Sequence, residues 1–197
     1  MGAEKAAVAD EIFDRLDADG DGTVVADDYR ANAERLLQSY GMGPSSPKGR
    51  ALIEASLALW ERQAEMVDRD RDGRIGREEY REWFAALAAA EAGSGAAALS
   101  ATQADAGTAA DTAAGLPTGV LEVMAVLHAQ FTVADRDGDG RMDSHEYTVW
   151  RSLRSVPAEV AAASFGLIDA DGDGVITWDD FVAAERRHGF ALLWFGP

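Results

Sequence analysis

Four stretches of twelve residues place carboxylates where a hard cation could be wrapped. They are DADGDGTVVADD from Asp17, DRDRDGRIGREE from Asp68, DRDGDGRMDSHE from Asp135 and DADGDGVITWDD from Asp169. All four share one register, with Asp at positions 1, 3 and 5, Gly at 6, an apolar residue at 8 and a carboxylate at 12. One such stretch alone would read as an ordinary solvated turn, since Asp and Gly favour turns. Four in one register point instead to Ca²⁺, which takes roughly six to eight oxygens and is enclosed by a twelve-residue loop when the side chains at 1, 3 and 5 converge.

The candidate ligands follow from the register. Loop one offers Asp17, Asp19, Asp21 and Asp28; loop two offers Asp68, Asp70, Asp72 and Glu79. Loop three offers Asp135, Asp137, Asp139 and Glu146 with Asp143 at position 9, and loop four offers Asp169, Asp171, Asp173 and Asp180 with Thr177 at position 9. Position 7, occupied by Thr23, Arg74, Arg141 and Val175, supplies only its backbone carbonyl, which frees its side chain to vary. Four Ca²⁺ are expected. Loop three, with five acids, is expected to be the tightest or joint tightest site, because ligand charge is one lever on affinity. Val25 and Gly76 at position 9 leave that place to water in loops one and two.

Loops one and four close with Asp, one methylene shorter than Glu. A shorter closing acid favours the smaller coordination shell that Mg²⁺ demands, so Mg²⁺ is expected to compete best at loops one and four. The alternative is that the following helix shifts inward and keeps both Asp oxygens in reach.

Side-chain acids at positions 1, 3, 5, 9 and 12 number 17 of the chain's 35, leaving 18 against 18 Lys and Arg. The whole net charge of −17 therefore equals the proposed ligand set, and four bound Ca²⁺ would bring it to −9. Nucleic acid is excluded as a partner for such a surface. With no Cys, neither disulfides nor thiolate sites are available, and a cytoplasmic location suits the chain. No leader-like start and no membrane-length apolar run is read, so a soluble monomer without membrane contact is expected. His128, His145 and His188 stand far apart, which argues against an enzyme.

The loops must be held by helices. Apolar residues at helical spacing flank each one: Ile12, Phe13 and Leu16 then Tyr29, Leu36 and Leu37; Trp60, Ala64 and Val67 then Tyr80, Trp83, Phe84 and Leu87; Met124, Leu127 and Phe131 then Tyr147, Trp150 and Leu153; Phe165 and Ile168 then Phe181. These stripes read as core. Val24, Ile75, Met142 and Ile176 at position 8 suit a short strand pairing two loops back to back, and an aromatic follows position 12 each time. Loops three and four start 34 residues apart, room for two helices and a turn at Pro157, whereas loops one and two start 51 apart, which lengthens both intervening helices around GMGPSSP at 41–47. The expected division is an N-terminal loop pair at 1–91, an Ala/Gly/Ser/Thr-rich linker at 92–117 and a C-terminal pair at 118–197 ending in the apolar tail GFALLWFGP.

These loops and flanking helices resemble the EF-hand proteins. The long first-pair spacing and the apolar C-terminal segment are similar to the sarcoplasmic calcium-binding protein and calerythrin group. The resemblance implies an all-α, compact fold of four EF-hands in two paired lobes, and a cytosolic Ca²⁺ buffer that in several members also takes Mg²⁺. Within the group one or more loops usually depart from the pattern; here all four keep it.

Two functions remain in view. A buffer barely opens on binding, and the tail, with Phe190, Leu192, Leu193, Trp194 and Phe195, could cover apolar surface between the lobes. A sensor would expose a Met-rich groove to a target protein, for which Met42, Met66, Met124 and Met142 are sparse material.

Overall fold

The computed structural model describes residues 2–93, 120–154 and 156–188. Among them the element order is α1 (Gly2–Leu16), β1 (Thr23–Val24), α2 (Ala26–Ser39), α3 (Pro47–Val67), β2 (Ile75–Gly76), α4 (Arg77–Gly93), α5 (Val120–Ala134), β3 (Arg141–Asp143), α6 (Ser144–Ser152), α7 (Ala158–Ile168), β4 (Val175–Thr177) and α8 (Trp178–His188). The fold is all-helical apart from two minimal antiparallel ladders. The chain divides into two units, one of Met1–Gln38 with Gly43–Val126 and one of Ser39–Met42 with Leu127–Pro197. The segment read as a linker lies outside the described residues, except that Ala92 and Gly93 end α4. The apolar tail from Gly189 onward also lies outside them.

In the first unit β1 pairs with β2, Val24 opposite Ile75, so two loops are joined through their position 8 residues. Val24 and Ile75 are buried. The long spacing between these loops is taken up by α2 at 14 residues and α3 at 21, against 9 and 11 for α6 and α7. What separates α2 from α3 is a tight break. Ser46 accepts a hydrogen bond from the Gly49 N–H at 3.0 Å, Pro47 opens the helix, and a Cβ on Gly49 would sit 2.4 Å from the Gly43 carbonyl. Glycine is required there by close approach.

Around that ladder Phe13 packs edge-on against Tyr80 at 5.8 Å and Tyr29 lies tilted against Trp60 at 5.9 Å, with the Tyr29 hydroxyl donating to Gln63. At the rim, Arg81 forks onto Asp10 (Nε–Oδ1 2.6 Å, Nη2–Oδ2 2.8 Å) and Arg77 reaches Asp14 at 2.6 Å, tying α4 to α1. The forked hydrogen bond to Arg81 holds the Asp10 carboxyl below its ordinary range.

The second unit repeats the plan, with Met142 opposite Ile176 across β3 and β4. Its core is aromatic. Trp150 lies 5.8 Å from both Tyr147 and Phe181, Tyr147 meets Phe165 at 5.6 Å, and the Tyr147 hydroxyl donates to Ser164 at 3.1 Å. All four aromatics that follow position 12 are buried: Tyr29, Tyr80, Tyr147 and Phe181. Among the stripe residues whose burial is described, which leaves out Leu87, one departs from expectation. Leu153 is 44% exposed because α6 stops at Ser152, which leaves Leu153 as the cap residue past the helix's inner face. Arg151, unremarkable in the sequence, is instead fully buried, its guanidinium 5.9 Å over the Tyr147 ring.

Candidate metal centres

Each loop is shaped by a ladder of hydrogen bonds from backbone N–H groups to its own acids. The position 1 carboxylate accepts from the position 6 glycine: Gly22 to Asp17, Gly73 to Asp68 and Gly140 to Asp135 at 3.0 Å, Gly174 to Asp169 at 3.1 Å. Those glycines have φ between +80° and +88°, the left-handed region that side chains rarely enter. Position 3 accepts from the N–H of position 5 at 3.1–3.3 Å, and position 5 from that of position 7 at 2.8–3.0 Å. The backbone thereby fixes Asp19, Asp70, Asp137 and Asp171, and likewise Asp21, Asp72, Asp139 and Asp173.

The acids converge accordingly. Carboxylate oxygens lie within 4.8 Å of one another in Asp17, Asp19 and Asp28; in Asp68, Asp70 and Asp72; in Asp135, Asp137 and Glu146; and in Asp169, Asp171 and Asp173. Each unit-charge pair at about 4 Å costs about 1 kcal/mol even in water. A divalent cation reverses that sign, and an all-oxygen, carboxylate-rich donor set suits Ca²⁺ or Mg²⁺ rather than a nitrogen- or sulfur-seeking metal.

The closing acids separate the loops. Glu79 accepts from the N–H of Arg69 (3.0 Å) and of Gly76 (2.8 Å), and Glu146 from Arg136 (2.8 Å) and Asp143 (3.1 Å), so each carboxylate spans positions 2 and 9. Asp28 does the same with a shorter arm, accepting from Ala18 at 3.0 Å and Val25 at 2.8 Å while only 3% exposed. Asp180 does not. Its hydrogen bonds among the described residues all go to Thr177, whose N–H (2.9 Å) and hydroxyl (2.6 Å) both donate to Oδ2. The two loops differ at position 9, where the Thr177 hydroxyl adds a second donor to Oδ2 and Val25 has none.

Asp143, counted with loop three, accepts from the Glu146 N–H at 2.8 Å and so caps α6 in a reciprocal box. Its charge stays beside the site. At position 7, Thr23 donates its hydroxyl to Asp21 at 2.8 Å, and this hydrogen bond chiefly lowers the Asp21 pKa. Sequence reasoning missed the reach of two arginines. Arg74 reaches from loop two to Thr23 Oγ1 (3.2 Å) and Asp21 (3.8 Å), and Arg141 reaches from loop three to Asp173 (3.8 Å). The available signal was an Arg at position 7 in one loop of each pair.

The EF hand family model matches residues 8–30, 65–85, 127–148 and 161–183, one match at each loop. The chain is an EF-hand calcium-binding protein with four loops. It resembles calerythrin from Saccharopolyspora erythraea, to which it is 20% identical over 92% of this chain and 89% of that protein. The probable calcium-binding protein CML17 of Oryza sativa subsp. japonica is 27% identical over 98% of this chain and 99% of its own. Among solved structures, a Streptomyces coelicolor calcium-binding protein superposes with a TM-score of 0.68 at 26% identity, covering 95% of this chain and 96% of that one.

Proposed function

We propose that the chain is a monomeric, non-catalytic Ca²⁺ buffer of the cytoplasm that takes one ion in each of its four loops. The acids at positions 1, 3, 5 and 12 and the position 7 carbonyl are its ligands, with Asp143 and Thr177 contributing at position 9. The observation carrying this reading is the scarcity of docking surface: the exposed large apolar side chains among the described residues are Leu153 and Leu167. Met42, Met66 and Met124 are half-buried and Met142 is fully buried, so the described methionines make no exposed Met-rich groove. No helix among the described residues is long and apolar enough to cross a membrane, and a chain without Cys suits a reducing compartment.

The second reading is a sensor that opens a groove for a target protein. It is favoured by the Streptomyces coelicolor relative, whose structure is described as the basis of calcium-mediated regulation. An apolar dye decides between the two. A buffer leaves dye fluorescence unchanged or lower when Ca²⁺ is added, while a large rise would install the sensor in its place.

Mg²⁺ enters the proposal at loops one and four, which close with Asp. The hydrogen bonding ranks them: Asp28 is already drawn across its loop, whereas Asp180 is held at Thr177 with less reach for two-oxygen closure. Loop four should therefore lose most Ca²⁺ when Mg²⁺ is raised, since Mg²⁺ tolerates the smaller shell. Ca²⁺ titrations with and without millimolar-scale Mg²⁺ check this on the parent and on Thr177→Val, which should compete less. Equal competition at all four loops would remove Mg²⁺ from the account.

A further inference from the structure

Within each pair the two loops are related by an antiparallel ladder centred on position 8. That symmetry carries the side chain at position 7 of one loop toward the position 5 acid of the other. In the first pair Arg74 of loop two lies 3.8 Å from Asp21 of loop one; in the second, Arg141 of loop three lies 3.8 Å from Asp173 of loop four. The traffic runs one way, because the opposite position 7 residues are Thr23 and Val175. The receiving loops both close with Asp28 or Asp180, and the donating loops both close with Glu79 or Glu146.

We propose that Arg74 and Arg141 are affinity-setting residues for the neighbouring loop: each guanidinium is a resident counter-ion on a ligand carboxylate, and it weakens Ca²⁺ binding at loops one and four. The proposal rests on Ca²⁺ occupying these loops. In the empty loop the guanidinium relieves repulsion among clustered acids; in the filled loop it faces an added double positive charge and must share or yield its aspartate. Both effects favour the empty state. The groups are about half exposed, Arg74 and Asp21 at 54% and 48%, Arg141 and Asp173 at 54% and 45%, so solvent and salt damp the effect to a modest factor. Each pair becomes one tight loop, Glu-closed and donating its Arg, and one weaker loop, Asp-closed and receiving it. A buffer so built fills in two stages and takes up Ca²⁺ over a wider range than four equal sites would.

The test is a Ca²⁺ series set by chelator, read in the full chain by the amide resonances of Gly22, Gly73, Gly140 and Gly174. Each of these amides hydrogen-bonds to the position 1 acid of its own loop and so reports one site. Arg74→Gln should move the Gly22 midpoint to about three- to tenfold lower Ca²⁺ at low ionic strength, with a smaller change at Gly73 and a gain that shrinks in high salt. Arg141→Gln should do the same for Gly174. Arg74→Lys, which returns a positive charge, should move Gly22 back toward the parent. The Ca²⁺-free chain should melt lower with either Gln, since its acids lose their counter-ion. A Gly22 midpoint that stays put or rises in Arg74→Gln would overturn the proposal while leaving Ca²⁺ binding intact. Silence of all four glycines toward Ca²⁺ would overturn both.

Discussion

Trp150→Ala is expected to lower the stability of the Ca²⁺-loaded protein by about 3–5 kcal/mol, the usual range for emptying a buried aromatic site. Trp150 is fully buried, lies 5.8 Å from Tyr147 and from Phe181, and carries the Arg154 guanidinium 4.5 Å over its ring. Three helices would border the cavity, since Tyr147 and Trp150 stand on α6, Phe181 on α8, and Phe165 of α7 touches Tyr147. Rigid ring neighbours relax little, which places the loss high in its range. Trp150→Phe should cost much less. The indole Nε1 is buried with no hydrogen-bond partner among the described residues, so the smaller ring also removes a polar group that the core leaves unsatisfied. Urea unfolding followed by circular dichroism checks both variants. An alanine variant within 1 kcal/mol of the parent, or a phenylalanine variant as unstable as the alanine one, would contradict this account of the core.

The loops were legible in the sequence because their requirements are local. A cation wrapped by twelve consecutive residues dictates acids at fixed offsets, a glycine where φ must be positive, and an apolar residue at position 8. The structure has Gly22, Gly73, Gly140 and Gly174 at positive φ and Val24, Ile75, Met142 and Ile176 in the core. The long α2 and α3 were legible from the 51-residue spacing. Features that depend on a second segment were not. Whether Arg74 meets Asp21 is decided by the register between loops, and Leu153 is exposed while Arg151 is buried because α6 ends at Ser152 and leaves Leu153 beyond its last turn. Asp28 and Asp180 are the same residue at the same offset, yet only the first spans its loop, while the second takes both Thr177 donors on one oxygen. The visible sequence difference between the two lies at position 9, which the register reads as a ligand position and where Thr177 also donates to the closing acid.

Asp135→Ala carries the largest expected effect on binding. Asp135 is 4% exposed, accepts from Gly138 at 2.7 Å and Gly140 at 3.0 Å, and converges with Asp137 and Glu146. Alanine would delete a carboxylate that shapes the loop and that serves as a ligand in the proposed site. The site has the largest acid count of the four, with Asp143 adding charge from the start of α6. Affinities of such loops span several orders of magnitude with ligand charge and rigidity, so the loss at loop three should be on the order of 100-fold or more.

The central claim, that all four loops are working Ca²⁺ sites, is tested most directly by calorimetric titration of the metal-stripped chain beside its Asp135→Ala variant. The account predicts four Ca²⁺ per parent chain, and three in the variant with the tightest phase gone. A parent that saturates at fewer than four, or a variant that keeps the tightest phase, would contradict it.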